Sequence, residues 1–402
     1  MGMNRNALLL IGVLIPVIII GVVVLNSDEE PINETSDQEP DTPETPTETA
    51  TESETEETSD YPKIASWCAK KEEIIESGKP YDLVMAGLFT PEEAIQLKAN
   101  NPDMLILAGL TTTWVWDNPG WMSFLTTVAS YGRDTPLEIT EEMYLRNETG
   151  ERCGFGWASE EWNQEEIYAM DPRNPDWVDL ITSFYGVVLA QPQHDGIIVD
   201  MVVEKQYWCP TISDEEWLEA TRAIYDRIAE LNTEDKLVIF NAGARFTDID
   251  EYSAYFDGYL MENFMGDQLK TTFMEGLEAA DSEYILIYAV DTDDTGIIDP
   301  EKMRLGLALS LLNDNTYFTY DLGPRDHGQS WWYDEYDVEL GEPTGAYYEE
   351  DGAYWREFEN GFVVAAPEGT IISFDEALTD VSSGERTTSF TIEAGDGRIY
   401  IR

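Results

Sequence analysis

The sequence predicts an α/β protein: an eight-stranded (β/α)8 TIM barrel followed by a small antiparallel β-domain. Between Tyr81 and Tyr320, eight short apolar runs alternate with stretches of helical spacing, which is the pattern of a parallel barrel. After Gly341 the chain changes to short strand-like runs separated by Gly, Asp and Glu. No Gly-rich phosphate fingerprint follows the first run, and this argues against an open nucleotide-binding sheet.

The order of elements follows from these runs and from helix-capping signals. Thr90 before Pro91 begins one helix, and Ser213 with Glu216 forms a capping box that begins another. The predicted barrel strands are 81–88, 104–110, 143–146, 196–203, 236–241, 258–262, 284–290 and 316–320. We expect the barrel to occupy residues 61–340 and the β-domain residues 341–402.

The first sixty residues predict a membrane anchor and a stalk. Residues 1–6 form a short cytoplasmic end, and residues 7–25 are 19 consecutive apolar residues, long enough for a transmembrane helix. Residues 26–60 carry 14 carboxylates and no Lys or Arg, which predicts a disordered linker. Arg5 precedes the apolar run, so the positive-inside rule predicts a single-pass cell-membrane protein whose C-terminal body lies outside the cell. The alternative is a cleaved signal peptide, for which the run is long and the cleavage site poor.

Charge excludes several partners. The net charge of −58 and the pI near 4.1 disfavour nucleic acid, which requires a cationic surface. The acidity of the body fits a solvated surface or salt adaptation, or else a cleft for a cationic substrate such as an amino sugar. Because the charge is spread along the chain, the first explanation is favoured. Oligomeric state is not indicated.

Two strand ends repeat one design that suggests catalysis. Asp195-Gly196 leads through three apolar residues to Asp200, and Asp257-Gly258 leads in the same way to Glu262. Side chains alternate along a strand, so two carboxylates would project inward on strands four and six, flanking strand five. Such carboxylates would lie roughly 5 to 10 Å apart, which is the range used for glycoside cleavage. We expect Asp200 as nucleophile or base and Glu262 as general acid; the alternative is that both merely end hydrophobic strands.

Aromatic and polar residues near other strand ends are candidate sugar ligands, because aromatic faces stack on pyranose rings. The alternative for each aromatic residue is packing between loops. His327 lies in a polar loop, where it is expected at the surface; the alternative is a contact with substrate. His194 is expected to be structural. The candidate substrate-binding residues are Trp114, Trp116, Arg146, Glu204, Trp208, Asn241, Asp291, Asp321, Trp331, Trp332 and Tyr333.

The three cysteines and two histidines limit other chemistry. Cys153 and Cys209 fall in the loops after predicted strands three and four, where a disulfide would join them outside the cytoplasm and leave Cys68 unpaired. So few histidines disfavour a Ser-His-Asp triad, and a metal-dependent hydrolase such as a polysaccharide deacetylase. No metal and no cofactor are expected.

Several segments, taken in order, resemble hypothetical glycosyl hydrolase family 15. They are Tyr144-Leu145-Arg146, residues 171–177, Asp195-Gly196 through Asp200, Phe256-Asp257-Gly258 through Glu262, and residues 331–343 with 356–361. The similarity covers residues from about 62 to about 370. It implies a TIM barrel, distantly related to polygalactosaminidase-like and α-galactosidase-like barrels, in which acids on strands four and six act.

Together these features predict a membrane-tethered glycoside hydrolase acting on an extracellular or cell-envelope polysaccharide or oligosaccharide. The competing hypothesis is a non-catalytic carbohydrate-binding or envelope protein on the same scaffold. Both need an aromatic cleft. Only the enzyme needs Asp200 and Glu262 to converge with perturbed pKa values.

Overall fold

The structure is a computed structural model that describes residues 61–85, 87–154, 167–206, 209, 211–241, 243, 252–262, 273, 284–323, 327 and 331–402. Within these ranges no helix combines the length and the apolar character needed to cross a bilayer. The predicted anchor at 7–25 and the predicted linker at 26–60 lie outside the described residues.

A parallel eight-stranded sheet, nearly closed on itself, forms the barrel and confirms the predicted fold. Its strands, numbered in chain order, are β1 (Ala65–Trp67), β2 (Leu83–Met85), β3 (Leu105–Thr111), β6 (Gly196–Asp200), β7 (Leu237–Asn241), β8 (Gly258–Met261), β9 (Ile285–Asp291) and β10 (Thr316–Asp321). Closure comes from a parallel bridge between Ile64 and Phe318, in which the Phe318 amide donates to the Lys63 carbonyl oxygen at 3.0 Å.

The barrel differs from the prediction in its first and third strands. β1 was not predicted, because three residues are too few to show an alternating pattern. Residues 143–146 were predicted as a barrel strand, but Tyr144 and Arg146 form only isolated antiparallel bridges outside the barrel. The two differences compensate, so β6 is still the fourth barrel strand and β8 the sixth.

The chain between β3 and β6 makes an excursion with its own antiparallel pair, β4 (Trp114–Trp116) and β5 (Ile167–Ala169). Its apolar cluster includes Trp114, Cys153, Cys209 and Trp217. A disulfide joins Cys153 to Cys209, with Cα atoms 5.8 Å apart. This bond ties the excursion to the segment that follows β6.

Helices surround the barrel, and most begin at a side chain that accepts backbone N–H groups. Thr90 and Ser213 form capping boxes with Glu93 and Glu216, while Asn174 caps the helix that packs beside β6. The described α-helices are α1 (Lys71–Ser77), α2 (Pro91–Lys98), α3 (Pro119–Ala129), α4 (Pro175–Leu189), α5 (Asp214–Leu231) and α6 (Pro300–Leu311).

Three aspartates at the amino ends of even-numbered barrel strands join each strand to the one before it. Asp82 Oδ2 accepts the Ile64 amide at 2.6 Å, and Asp195 Oδ2 accepts the Ile106 amide at 2.8 Å. Asp257 Oδ2 accepts the Val238 amide, also at 2.8 Å. The aspartate that begins each repeated Asp-Gly segment is therefore structural. The candidate site residues are the carboxylates at the other end, Asp200 and Glu262.

Glycine follows two of these aspartates because the barrel interior is closely packed there. A Cβ on Gly196 would lie 2.3 Å from the Leu237 carbonyl oxygen, and a Cβ on Gly258 would lie 2.3 Å from that of Ile285. The strands thus approach closely at the amino end of the barrel, and the interior above is filled by apolar side chains such as Ile198 and Leu260.

The predicted antiparallel sheet after Gly341 is present, with strand order β11-β12-β13-β16-β14-β15. Its strands are β11 (Tyr348–Glu350), β12 (Ala353–Phe358), β13 (Gly361–Ala366), β14 (Thr370–Asp380), β15 (Arg386–Ile392) and β16 (Asp396–Ile401). α6 packs on it so closely that a Cβ on Gly397 would lie 2.3 Å from the Arg304 carbonyl oxygen. The buried Asp396 carboxylate binds Arg304 at 2.9 Å and Arg398 at 2.6 Å.

Replacing Asp396 with Ala should lower the free energy of unfolding by about 3–5 kcal/mol, because two largely buried guanidinium groups lose their shared partner. Denaturant unfolding measures the change. Glu73→Ala is the control, since its pair with Lys70 is 3.3 Å long with side chains 49% and 42% exposed, and it should cost less than about 1 kcal/mol. Equal losses in the two variants would contradict this assignment.

Candidate active site

The carboxyl ends of the barrel strands direct a set of polar side chains toward the barrel axis. Ile198, Ile239 and Leu260 belong to the interior cluster. Because side chains alternate along a strand, the residues two positions further on share the same face. Those residues are Asp200, Asn241 and Glu262. By the same alternation Trp67, Asp291 and Asp321 face inward from β1, β9 and β10.

Asn241 lies between the two predicted catalytic carboxylates and contacts both. Its Nδ2 donates to Asp200 Oδ1 at 2.9 Å and to Glu262 Oε2 at 2.6 Å. The two oxygens are therefore separated by at most the sum of these distances, 5.5 Å. The Gly243 amide donates to Asn241 Oδ1 at 2.8 Å and fixes which way the side-chain amide points.

Asp200 is the carboxylate that holds a proton more readily. Its Oδ1 accepts hydrogen bonds from the Met201 amide at 2.8 Å and from Asn241. Loss of water around the group, reinforced by the charge of Glu262, outweighs these bonds and raises the pKa of Asp200 to about 7. Met201 has a φ of 55°, so the backbone is strained directly after this residue.

Glu262 is surrounded by donors. Trp67 Nε1 donates to its Oε1 at 3.3 Å, and His327 Nε2 lies 2.7 Å from the same oxygen. Loss of water would raise the pKa of Glu262, but His327, Asn241 and Trp67 together lower it below its usual value. The order of the two pKa values is thus opposite to the roles predicted from the sequence, which gave Glu262 as the acid.

Asp291 and Asp321 lie beside one another at the ends of β9 and β10, where they are register partners. Burial raises the pKa of Asp291 to about 6, and burial also raises that of Asp321 despite its contact with His327. Asp321 Oδ2 is 2.9 Å from His327 Nδ1. Both predicted ligands therefore belong to the inward set, and Asp321 reaches Glu262 through His327.

The excursion holds three of the other predicted ligands. Trp114 is buried in the cluster around the disulfide, so it packs rather than presenting an open face. Trp116 is 41% exposed and meets the edge of Trp121. Arg146 binds Glu141 and the Gly150 carbonyl oxygen, and because residues 143–146 are not a barrel strand, it is not carried to the strand ends.

The aromatic run after β10 packs along the outside of the barrel. Trp331 and Tyr333 pack against Tyr320, whose neighbour Asp321 faces inward. Trp332 meets the edge of Tyr81, near the amino end of β2, and donates to Asp337 at 2.8 Å. These contacts place Trp332 toward the end of the barrel opposite the carboxylate pair.

Two further predicted ligands follow β6. Glu204 is partly buried, with Lys205 Nζ 4.0 Å from its carboxylate. Trp208 lies outside the described residues. Within those residues, no three His, Cys, Asp or Glu side chains are arranged to hold a metal ion.

Sequence reasoning missed two contacts of Glu262. Trp67 was missed together with β1, whose three residues are too few to show a pattern. His327 was expected at the surface because its neighbours are polar, yet its side chain is only 10% exposed. His194 is buried as expected, and its Nε2 accepts the Phe89 amide at 3.1 Å.

A parallel barrel with paired inward carboxylates at the carboxyl ends of its fourth and sixth strands has the architecture of a glycoside-hydrolase-like barrel. The chain belongs to hypothetical glycosyl hydrolase family 15, whose family model matches residues 98–362. The resemblance seen in the sequence is thereby confirmed. No curated protein sequence matches the chain.

Solved structures to which the chain is similar, at low identity, include glycoside hydrolases. The glycoside hydrolase domain of PelA from Pseudomonas aeruginosa is 14% identical, with 67% of this chain and 96% of that chain covered and a TM-score of 0.43. The GH36 α-galactosidase AgaA from Geobacillus stearothermophilus, solved with stachyose, is 10% identical, with 85% and 56% covered and a TM-score of 0.47. An α-amylase from Geobacillus thermoleovorans is 10% identical, with 82% and 90% covered and a TM-score of 0.45. Similarities this distant fix neither substrate nor mechanism.

Asp200→Asn should raise thermal stability at pH 8 and lose that advantage near pH 4. The folded-state pKa of Asp200 is raised to about 7, so its charge opposes folding increasingly as pH rises from about 4 to about 7. Asn has the same shape without the charge. Melting temperatures of both proteins at the two pH values measure the difference, and a variant less stable than wild type at pH 8 would contradict the raised pKa.

Proposed function

We propose that this protein is a glycoside hydrolase that cleaves an extracellular or cell-envelope polysaccharide with Asp200 and Glu262. One observation carries the proposal: two inward carboxylates share the Asn241 amide, and their pKa values are shifted in opposite directions. Unequal carboxylates at close range are what acid-assisted glycosidic cleavage requires. A barrel used only for binding sugar has no need of this inequality.

The shifts support a division of roles. Glu262, which accepts hydrogen bonds from Asn241 and Trp67 and has the His327 ring at ion-pair distance, is the nucleophile, and Asp200, with the raised pKa, is the general acid. Glu262 attacks the anomeric carbon while the bond to the leaving oxygen breaks, and Asp200 gives its proton to that oxygen. The Asn241 amide touches both groups and holds their separation through the step.

The spacing favours retention of anomeric configuration. Retaining enzymes separate their carboxyl groups by about 5–5.5 Å, while inverting enzymes leave about 6.5–9.5 Å for a water. The contacting oxygens of Asp200 and Glu262 are at most 5.5 Å apart. In the second step Asp200, now ionised, takes a proton from water, the water oxygen bonds to the anomeric carbon, and Glu262 is released as a carboxylate.

The proposed location outside the cell depends on the apolar segment at residues 7–25. The Cys153–Cys209 disulfide supports it, because such bonds persist mainly in oxidising compartments. Protease added to intact cells should then digest the body. A body protected until the cells are lysed would oppose this location.

Activity is tested by incubating the purified protein with a panel of polysaccharides, including amino-sugar polymers, at low and high salt, and reading products by mass spectrometry. Wild type should shorten at least one polymer, and an Asp200→Asn/Glu262→Gln double variant should shorten none. Binding without cleavage, equal in both proteins, would support a carbohydrate-binding protein instead. Glu230→Gln, at an exposed carboxylate near the carboxyl end of α5, serves as a matched control that should retain turnover.

Single variants separate the two roles on aryl glycosides of the sugar so identified. Asp200→Ala should lose activity with poor leaving groups but retain cleavage of dinitrophenyl glycosides, which need no protonation. Glu262→Ala should lose both. In wild type, kcat/KM should fall as pH rises through about 7, because the acid then loses its proton. If Glu262→Ala retained cleavage of dinitrophenyl glycosides and Asp200→Ala lost it, Asp200 would be the nucleophile and Glu262 the general acid.

A further inference from the structure

His327 forms a buried connection between Glu262 and Asp321. Its Nδ1 is 2.9 Å from Asp321 Oδ2, and its Nε2 is 2.7 Å from Glu262 Oε1. The imidazole lies against Trp67, with ring centroids 6.0 Å apart, and Trp67 itself donates to Glu262. Nδ1 is thus hydrogen-bonded to one carboxylate, and Nε2 lies at ion-pair distance from the other without the alignment of a hydrogen bond. A ring placed between two carboxylates in this way is favoured in its doubly protonated form.

The surroundings account for a buried positive charge. Burial alone would lower the pKa of His327, but Asp321 and Glu262 raise it to about 11. Among the described residues, the other titratable groups that act on Glu262, Asp321 or His327 include Asp200, Asp291 and the Cys68 thiol, none of which is cationic. Among the described groups interacting with Glu262, the imidazolium is thus the principal positive charge.

Without that charge Glu262 would not remain a nucleophile. It lies within 5.5 Å of Asp200 through Asn241, and like charges at this range in a desolvated site push one carboxylate to protonate. An imidazolium fixed at Oε1 prevents this and leaves the proton on Asp200. Asp321 fixes the imidazolium in turn, because its carboxylate accepts from Nδ1.

We propose that Asp321 and His327 are a positioning pair that keeps Glu262 ionised and orients its carboxylate. The single proton of the Asp200–Glu262 pair then resides on Asp200. The inference depends on the proposed function, since it explains how the nucleophile and the acid are kept distinct. Neither His327 nor Asp321 needs to exchange a proton during turnover.

The charge on His327 is measured without any substrate, by NMR titration of the imidazole signals in the purified protein. The chain has two histidines, so two sets of signals are expected. His327 should stay doubly protonated from pH 5 to about pH 9, whereas His194, whose pKa burial lowers to about 4, should be neutral throughout. Loss of one set in His327→Gln makes the assignment. A His327 signal that titrates near pH 6.5 would overturn the proposal.

Coupling to the carboxylates is measured in the same way. Asp321→Asn and Glu262→Gln should each lower the His327 midpoint by about 1–3 pH units, the usual effect of removing an opposite charge at contact distance. A midpoint that does not move in Glu262→Gln would overturn the pair even if no substrate is ever cleaved. The titration can therefore support the positioning role even if no glycosidase activity is found. Failure of the positioning role and failure of the proposed activity are thus distinguishable.

With an active substrate, the pH profile tests the consequence for Glu262. His327→Gln should move the acidic limb of kcat/KM to higher pH by about 1–3 units, because Glu262 then binds a proton more readily. His194→Gln, at the other end of the barrel, should leave the profile unchanged. A His327→Gln enzyme that is merely slower, with both limbs unmoved, would show a structural role and overturn the positioning role; melting temperatures exclude unfolding as its cause.

Discussion

One amide group lies between two carboxylates at the barrel mouth and touches both. Asn241 stands on β7, with Asp200 on β6 on one side and Glu262 after β8 on the other. Because adjacent strands are held at a fixed spacing by the ladder, the three side chains occupy one level of the barrel without any loop having to place them. The two carboxylates repel each other when both are ionised, and the neighbouring hydrogen-bond donors offset that repulsion.

The donors are distributed unequally, and the chemistry follows from that. Glu262 has Trp67, His327 and Asn241 around it, while Asp200 has Asn241 and the Met201 amide. The barrel thus favours the ionised form of Glu262 and the protonated form of Asp200. The same polar side chains cost folding energy, and the apolar layer of Ile198 and Leu260 beneath them is part of what offsets it.

Much of this could be read from the sequence, because alternation along a strand is a strong rule. It predicted that Asp200 and Glu262 face inward on either side of strand five, which ends at Asn241. The change to short runs after Gly341 predicted the antiparallel sheet. The alternation rule failed where the chain does not alternate. β1 is too short for a pattern, residues 143–146 belong to an excursion, and His327 lies inward although its polar neighbours in the sequence suggest a surface position. The proposed roles of the two acids depend on that histidine, which did not enter their assignment from the sequence.

The disulfide between Cys153 and Cys209 has a practical consequence for anyone who makes this protein. It closes a chain segment with a sequence separation of 56, for which the loop-entropy argument gives a stabilisation of about 4 kcal/mol. It also fastens the excursion to the stretch that leaves β6 just beyond Asp200. Material produced in a reducing bacterial cytosol would lack this bond, so an inactive preparation from such a host would not test the proposed activity. Export to the periplasm or oxidative refolding gives the disulfide-bonded form that the structure describes.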